Sequence, residues 1–336
     1  MNSKIEIILT GTGGSEPVYF IKGGKNWSRH HPGAMIFIKR GDKKFGIKID
    51  HHVHSDINMF NARVAPSDID ILLISHVHED HLNYRFFASK MGECPPRGDA
   101  LFNRKPVSVY SSKIVIHTII EMMARKNIFP FEFRKEANTG HYHFRSLIYP
   151  RKKILTLYHV NGNTLITPFP KLKIKFISAR HFHQSAFASC GFGKKAFGFL
   201  IIDEELQKSL LYMTDYADMN GTVKEIFFES LKDYKIDIFI LGMPVPLREK
   251  KEQRKHMDLE KSLQMIEELY CNGDMKEKPK IVLTHLSDRW ILPESVKQAE
   301  KIIKKYNFEV WIPPKDGVTI EISKKKTQKK RGWNSK

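Results

Sequence analysis

Residues 71–81 are Ile71-Leu72-Leu73-Ile74-Ser75-His76-Val77-His78-Glu79-Asp80-His81, an apolar run of strand length that turns abruptly into polar residues. The last six of these residues contain three histidines and two acids. An apolar run that ends in a polar cluster is typical of a buried strand that delivers side chains to a site at its end. The stretch therefore predicts a buried strand followed by a functional loop.

The polar half of this stretch contains the residue types of a metal site. His76 and His78 alternate, so in an extended chain both side chains lie on one face and can bind one ion. Asp80 and His81 follow the turn and offer a carboxylate oxygen and a further imidazole, which suit zinc or manganese. A polar loop that contains several histidines by chance is the alternative. The spacing His-x-His-x-Asp-His directly after a strand favours the metal site.

The composition places the chain among ordinary globular proteins. Its 336 residues suffice for one large domain or two smaller ones, and 41% hydrophobic residues suffice for a core. The mean hydropathy of −0.39 is that of a soluble protein, and no apolar run approaches the ~20 residues that cross a bilayer. No signal peptide is evident, and the cysteines Cys94, Cys190 and Cys271 form no CxxC pair. These features predict a cytoplasmic, reduced protein without a disulfide framework.

The net charge of +19 favours an anionic partner. Seven Lys or Arg residues and no acid lie between Lys324 and Lys336, and a second basic patch covers residues 248–255. A solvated tail and solvated helix faces are the alternative explanation. The net charge therefore indicates that a ligand is negatively charged but does not identify it.

Strand patterns alternate with helix patterns along the chain, which predicts an α/β protein. No composition shift marks a boundary, so we predict a single domain over residues 1–323 and a disordered basic tail over residues 324–336. Residues 127–163 are basic and aromatic, and we expect an insert there, either a substrate-facing segment or a long connection. The predicted strands are 4–10, 34–39, 44–50, 107–110, 172–178, 197–203, 210–214, 236–242, 280–284, 310–312 and 318–322. The predicted helices are 81–91, a helix N-capped by Ser111 that ends near 126, 221–232, 257–270 and 293–305.

Histidine or aspartate follows several of the predicted strands. Besides the cluster at residues 76–81, His181 or His183 follows one strand, Asp215 follows another, and His285 follows a third. Strand ends on the same edge of a sheet converge in space, so we expect these side chains to form one site. Asp50 ends an earlier strand, and we expect it to brace the metal-binding loop from behind.

The order of these motifs resembles the metallo-β-lactamase superfamily. The resemblance extends from Leu9-Thr10-Gly11-Thr12-Gly13 through the His-x-His-x-Asp-His motif to Tyr212-Met213-Thr214-Asp215 and Leu283-Thr284-His285-Leu286, nearly the whole chain. It implies an αββα sandwich of four layers with two metal ions at one edge. Zn²⁺ is the expected ion, with Mn²⁺ as the alternative.

Carried over to this sequence, the resemblance assigns a ligand set to each ion. The ligands are His76, His78 and His181 for the first ion, Asp80, His81 and His285 for the second, and Asp215 bridging both. His183 is the alternative to His181, which is preferred because it directly follows the strand. Two departures from the family concern the shape of the substrate pocket: His51 replaces a small residue, and the spacing before Asp215 is long. Glu79 lies inside the motif and is predicted to be dispensable for metal binding.

The segment from Lys255 to His285 resembles the phosphodiesterase branch of the superfamily. In that branch, which includes RNase Z and the cyclic phosphodiesterase of phosphonate breakdown, a histidine at a helix start lies by the scissile phosphate. The resemblance makes His256 the candidate general acid for the leaving oxygen. A polar residue at a helix N-terminus is the alternative role.

These motifs predict a dinuclear metal-dependent phosphodiesterase. Two cations can hold a bridging hydroxide that attacks phosphorus, with Asp80 orienting it, His256 protonating the leaving group, and Arg29 and Arg180 contacting the phosphate. The expected substrate is a cyclic or small phosphodiester or nucleotide. An RNase Z-like nuclease, a lactonase-type hydrolase of the same fold and a nucleic-acid-binding module with a relic site are the alternatives. We expect no membrane partner, and the resemblance suggests a homodimer.

Overall fold

More of the described residues belong to strands than to helices. A computed structural model describes residues 3–13, 18–22, 25–83, 87, 106–125, 131–135, 142–146, 153–180, 195–216, 221–243, 257–271, 278–313 and 315–323. The strands are β1 (Ser3–Gly11), β2 (Val18–Lys22), β3 (Lys25–Arg29), β4 (Gly33–Arg40), β5 (Lys43–Ile49), β6 (Ile71–Leu73), β7 (Val107–Ser111), β8 (Phe131–Lys135), β9 (Tyr142–Ser146), β10 (Lys153–His159), β11 (Leu165–Phe169), β12 (Leu172–Arg180), β13 (Lys195–Asp203), β14 (Lys208–Met213), β15 (Ile238–Gly242), β16 (Lys280–Thr284), β17 (Val310–Trp311) and β18 (Val318–Ser323).

Helices connect these strands. They are α1 (Ser55–Asn61), α2 (Lys113–Arg125), α3 (Thr222–Leu231), α4 (Leu259–Cys271) and α5 (Pro293–Tyr306), with short 3-10 turns at Pro66–Asp68 and Asp288–Ile291. None of the described helices is long and apolar enough to span a bilayer.

The strands form two large sheets. Within the described residues, one sheet has nine strands in the order β18-β1-β4-β5-β6-β7-β10-β9-β8, and the other has seven in the order β11 to β17. Strands β5, β6, β7 and β10 are mutually parallel, as are β14 to β17. Parallel strands end at a common edge, so each sheet presents a set of carboxyl ends at which loops meet.

Three apolar clusters hold the layers together. One cluster fills the space between the sheets, where Ile7 and Ile49 of the first sheet meet Phe199 and Ile240 of the second, all four with no exposed surface. A second cluster packs α2 on the outer face of the first sheet, and a third packs α3, α4 and α5 on the outer face of the second. The chain therefore has the predicted α/β architecture, a four-layer αββα sandwich.

Most of the predicted strands and helices are present, with ends that differ by at most two residues. The predicted N-cap was wrong. Ser111 belongs to β7, where its hydroxyl donates to the carbonyl of Ile74 (2.6 Å). Ser112 caps the helix instead, since its Oγ accepts from the backbone N–H of Val115 (3.5 Å). Of the predicted helix 81–91, only residues 81–83 and 87 are among the described residues.

Residues 127–163, in which we expected an insert, contribute strands to the first sheet. β10 pairs in parallel with β7, β9 pairs with β10, and β8 pairs with β9 at the sheet edge. The pattern of this segment is hard to interpret because the alternation in β8 and β9 includes only two apolar residues in each strand.

Candidate metal centre

Four strand ends converge on one edge of the sandwich. In the first sheet, Asp50 follows β5 and the loop that contains His76 follows β6. In the second sheet, Asp215 lies two residues after β14 and His285 directly follows β16. All four residues are less than 5% exposed. Buried polar side chains from both sheets therefore meet at the carboxyl ends of the parallel strands.

Four ligand-type atoms form a compact cage at this edge. Nε2 of His81 lies 2.7 Å from Oδ2 of Asp215 and 3.5 Å from Oδ2 of Asp80. Nε2 of His285 lies 3.4 Å from both of these carboxylate oxygens. Two imidazole nitrogens and two carboxylate oxygens thus face one another in a space from which water is largely excluded.

The cage fits a small divalent cation. Zinc binds imidazole nitrogen and carboxylate oxygen at about 2.0–2.1 Å in tetrahedral geometry, so neighbouring ligand atoms are separated by about 3.3–3.4 Å. Three of the four distances in the cage are within 0.2 Å of that separation. The donor set of two imidazoles and two carboxylates also suits zinc or manganese. These residues therefore fit a divalent metal ion.

A second group of donors adjoins the cage. The ligand atoms of His76, His81 and Asp215 lie within 4.8 Å of one another, as do those of Asp80, His81 and His285. Nε2 of His76 also faces Nδ1 of His78 at 2.7 Å. The two groups share His81, and Oδ2 of Asp215 in one group lies 3.4 Å from Nε2 of His285 in the other, so the donors form one continuous cluster.

Asp50 fixes the metal-binding loop from the protein interior. Its Oδ1 accepts from the backbone N–H of Ser75 (2.7 Å), and its Oδ2 accepts from Ser75 Oγ (3.0 Å) and contacts Nδ1 of His81 (2.7 Å). A carboxylate on Nδ1 keeps the proton there and leaves Nε2 directed at the metal, which raises the basicity of the ligand. Asp50 therefore orients His81 as we expected from its position after the strand.

The backbone at His285 has a left-handed conformation. His285 has φ 55°, which is costly for a residue other than glycine and persists only where surrounding contacts impose it. The contacts come from the turn after β1: the N–H of Leu286 donates to the carbonyl of Thr12 (2.7 Å). Asp316 in turn accepts from the N–H (2.7 Å) and the hydroxyl (2.9 Å) of Thr12. The glycine-containing turn thus positions a ligand.

Gly242 allows close approach of the backbone beside Asp215. A Cβ atom on Gly242 would lie 1.8 Å from the carbonyl oxygen of Thr214, the residue before Asp215. Only glycine fits at this point, so the end of β15 can lie directly against the chain that carries the aspartate.

The electrostatics of the cage couple acids and imidazoles. Burial opposes ionisation of Asp80, yet the imidazoles of His81 and His285 hold the pKa of its carboxyl well below 3.8. Burial likewise opposes the charge on His81, yet three nearby carboxylates raise the pKa of that imidazole well above 6.5. Asp215 and Asp80 raise the pKa of His285 in the same way against burial. Without a metal ion, the protonated imidazoles of His81 and His285 supply the positive charge among these carboxylates. Binding of a metal ion would therefore release protons from them.

Other predicted site residues have different positions. His181, His183 and His256 lie outside the described residues. Arg29 is 5% exposed, and its Nη2 donates to the carbonyl of Pro313 (3.2 Å). Arg180 is the last residue of β12, and Glu79 is exposed. The phosphate-binding roles of the two arginines and the dispensability of Glu79 stay predictions.

Two buried polar residues beneath the site were not predicted from the sequence. Lys48 has no exposed surface, and its Nζ donates to the carbonyls of Ile49 (3.0 Å) and Asp50. The hydroxyl of Tyr212 is buried near Asp50 and Asp215 and has no hydrogen-bond partner among the described residues. Burial raises the pKa of Tyr212 well above 10, so its phenol stays protonated. Both lie on strands whose patterns indicate only core positions, and neither offers a local motif.

Comparison with known proteins identifies the fold. No family model and no curated protein matches the chain. Unliganded yeast PDE1 matches with 11% identity and TM-score 0.64, covering 96% of this chain and 100% of that one. The metallo-β-lactamase fold protein YhfI from Bacillus subtilis matches with 14% identity and TM-score 0.61, covering 95% and 100%. A diphosphatase of the PhnP family matches with 16% identity and TM-score 0.57, covering 96% and 99%.

The protein is an αββα sandwich in which histidine and aspartate side chains that could hold a metal ion lie together at one edge of the sheets. The chain has the metallo-β-lactamase fold, as the resemblance in its motifs implied. At these identities the comparison establishes the fold alone, and the activity must be argued from the site.

Replacing Asp50 with asparagine is expected to weaken zinc binding about 10–100-fold. The amide keeps the size of the carboxylate but no longer stabilises the orientation and charge of His81, which Asp50 contacts at 2.7 Å. Competition with a chromophoric chelator measures the affinity. Asp233→Asn, an exposed site at the end of α3, is the matched control and should leave the affinity unchanged. Equal affinity in Asp50→Asn and wild type would show that the contact has no influence on the metal.

Proposed function

We propose that this chain is a dinuclear metal-dependent hydrolase of phosphodiesters, acting on a cyclic or small phosphodiester or a nucleotide. The observation that carries the proposal is the cage of Asp80, His81, Asp215 and His285 adjoined by a second donor group that contains His76. Two ligand groups with a carboxylate between them suit a two-ion site better than a single-ion site. The names of two similar structures, PDE1 and a PhnP-family diphosphatase, agree with phosphoester chemistry.

Each proposed ion has a distinct set of protein ligands. Asp80, His81 and His285 would hold one ion, and His76 and His78, with His181 as the third histidine, would hold the other. Asp215 would contact both. Zn²⁺ is the proposed ion, with Mn²⁺ as the alternative, because the donors are imidazoles and carboxylates. When bound, the ions would supply Lewis-acid activation of water and of phosphate oxygens.

The protein residues have separable tasks in this proposal. The side chain of Asp80 is 11% exposed, more than those of His81, Asp215 and His285, so it is the cage residue best placed to contact water and accept its proton. Asp50 and Ser75 keep the loop rigid, which limits reorganisation during the reaction.

His256 is the proposed general acid for the leaving alkoxide. The adjacent residue supports this role: the N–H of Met257 donates to the carbonyl of Tyr216 (2.9 Å), and Tyr216 directly follows Asp215. This hydrogen bond joins the segment before α4 to the residue after Asp215, the proposed bridging ligand. His256 directly precedes Met257 in the sequence, which supports the proposal that it acts at the same site.

The experiment is an assay of metal-loaded protein against bis(p-nitrophenyl) phosphate, 2′,3′-cyclic nucleotides, structured RNA and a lactone. We expect turnover of the phosphodiesters, lost on chelation and restored by Zn²⁺ or Mn²⁺. Absence of phosphodiester turnover would overturn the proposal. Turnover of the lactone alone would assign the site to a lactonase-type hydrolase, and RNA binding without turnover would indicate a binding module.

The net charge of +19 favours a second candidate, an RNase Z-like endonuclease that takes RNA as its partner. Cleavage of RNA would then dominate over cleavage of small diesters. Its rate would fall steeply with added salt, because counterion release drives the binding of a polyanion. A small substrate makes few such contacts and would show a shallow salt dependence. A homodimer and a cytoplasmic location stay predictions.

A further inference from the structure

Four histidines lie together beside the metal loop and are not needed as its ligands. This histidine cluster consists of His30, His31, His52 and His54. The ring centroid of His31 is 5.2 Å from those of His52 and His54, and the ring of His30 is 5.2 Å from that of His54. The first two residues follow β3 and the last two follow β5, so the turns after two strands bring them together.

The histidine cluster is held in place at both ends. At one end, Oδ2 of Asp316 contacts Nδ1 of His30 and accepts from its backbone N–H, both at 2.7 Å. At the other end, the N–H of His51 donates to the carbonyl of His81 at 2.8 Å. The second contact joins the turn that carries His52 directly to the metal-binding loop.

His52 presents a buried donor. Its Nδ1 accepts from the backbone N–H of His54 (3.1 Å), so the proton of the neutral ring is on Nε2. His52 is 1% exposed, and its Nε2 is buried without a hydrogen-bond partner in the described part of the chain. Buried donors in folded proteins nearly always have an acceptor, and leaving one unpaired is costly. The Nε2–H group is therefore suited to a ligand that brings an acceptor.

The charges around this donor favour a negative ligand. Basic side chains lie near this donor: the ring centroid of His31 is 5.2 Å from that of His52, and Lys48 is buried on β5, the strand that leads into this turn. The acids beside these turns have basic partners: Asp316 contacts His30, and Oδ1 of Asp56 lies 3.4 Å from Nε2 of His51. Asp50 likewise contacts Nδ1 of His81. A donor among basic side chains attracts an anionic oxygen more than a neutral one.

A cation fits the histidine cluster poorly. Within the described residues, the groups whose ligand atoms lie within 4.8 Å of one another are the two around His81, and neither includes a member of the histidine cluster. The rings are close, but their nitrogens do not converge as metal ligands must.

We propose that the histidine cluster is an oxyanion-binding subsite beside the metal centre, in which Nε2–H of His52 donates to an oxygen of a phosphate group. That group is either a second, non-reacting phosphate of a substrate or free inorganic phosphate. The proposal does not depend on phosphodiester hydrolysis, since a protein with another activity could bind an anion here.

The test uses the full-length metal-loaded protein and inorganic phosphate as the probe. Long-range ¹H–¹⁵N spectra of the histidine rings are recorded during a phosphate titration, and the His52 signal is assigned by its loss in His52→Phe. We expect the Nε2–H resonance of His52 to move downfield and to exchange more slowly with water as phosphate saturates. An unchanged His52 signal at saturating phosphate would overturn the proposal, whatever the metal ions bind.

Variants extend the test. In metal-loaded protein, phosphate affinity measured at the neighbouring histidine signals should fall about tenfold or more in His52→Phe, the loss of one hydrogen bond to a charged group. His52→Gln keeps a donor and should recover most of the affinity, while His117→Phe on α2 is the matched control and should bind as wild type. Equal affinity in His52→Phe, or loss of a tightly bound metal ion from that variant, would contradict the proposal.

A 5′-phosphorylated dinucleotide and its unphosphorylated counterpart separate the two sources of phosphate. Displacement of inorganic phosphate from His52 by the phosphorylated compound alone would assign the subsite to a substrate phosphate. Displacement by neither compound would assign it to the free anion. Both compounds contain the internucleoside phosphodiester, so equal displacement by both would contradict a subsite for a second, non-reacting phosphate.

Discussion

Replacing Asp215 with asparagine is expected to lower kcat/KM for bis(p-nitrophenyl) phosphate about a thousandfold or more and to reduce the metal content of the protein. Oδ2 of Asp215 lies 2.7 Å from Nε2 of His81 and 3.4 Å from Nε2 of His285, and Asp215 also belongs to the donor group of His76. Its loss removes a negative ligand from both proposed ions at once. Metal ions contribute several kcal/mol of transition-state stabilisation, which corresponds to a factor of this size.

The control for this variant is Asp237→Asn. Asp237 lies at the opposite end of the same sheet, where it accepts from the N–H of Ser209 (2.9 Å) and pairs with Lys208 (2.5 Å). It should retain both metal content and turnover, measured by elemental analysis and steady-state kinetics. Full metal content and undiminished turnover in Asp215→Asn would remove Asp215 from the site and the two-ion proposal with it.

The sequence was sufficient to predict that side chains from several strand ends lie together. Asp215 and His285 are far from His76 in sequence, but each follows an apolar run of strand length. Parallel strands in a sandwich place such positions at one edge, and the structure brings these three residues there. The three residues could be predicted to lie close together because the strands that precede them run in the same direction within each sheet.

Features that depend on contacts between distant segments could not be predicted. His285 (φ 55°) and Asp50 (φ 52°) have a left-handed backbone that tertiary hydrogen bonds impose. The identity of these two residues does not predict this conformation. The histidine cluster depends on Asp316, which is nearly three hundred residues from His30 and has no motif around it. The strands β8 and β9 in residues 127–163 escaped prediction for another reason, since each has only two apolar residues in alternation.

Lys48 shows most clearly how burial escapes a sequence pattern. Lys48 lies on β5, where successive side chains face opposite sides of the sheet. A lysine on a strand normally marks the side that faces solvent. In the structure it has no exposed surface, and its Nζ contacts neutral acceptors, the carbonyls of Ile49 and Asp50. Burial, opposed in part by Asp50 and Asp56, lowers the pKa of Lys48 to about 7.

The stability of the protein relative to a Lys48→Met variant is expected to rise as the pH increases from about 7 to about 10.5. In the unfolded chain Lys48 keeps its proton up to the ordinary pKa of 10.5, whereas in the folded chain it loses the proton near pH 7. Between these values the unfolded state binds more protons, so the free energy of unfolding rises with pH, by about 1.4 kcal/mol per pH unit at most. The full window corresponds to roughly 4–5 kcal/mol. Below pH 7 both states are protonated and the difference is constant.

The measurement is urea denaturation of wild type and Lys48→Met at pH 7, 8, 9 and 10, with both proteins stripped of metal so that ion binding does not contribute. Subtracting the two free energies of unfolding cancels the titration of every other group that the substitution leaves unchanged. Lys44→Met is the matched control for loss of a lysine from the same strand, because Lys44 is exposed and pairs with Asp68 at 2.9 Å. A flat difference for Lys48→Met across this range would mean that the buried amine keeps its proton, held by the carbonyls at the base of the Asp50 turn. In that case the positive charge beneath the metal-binding loop would be permanent.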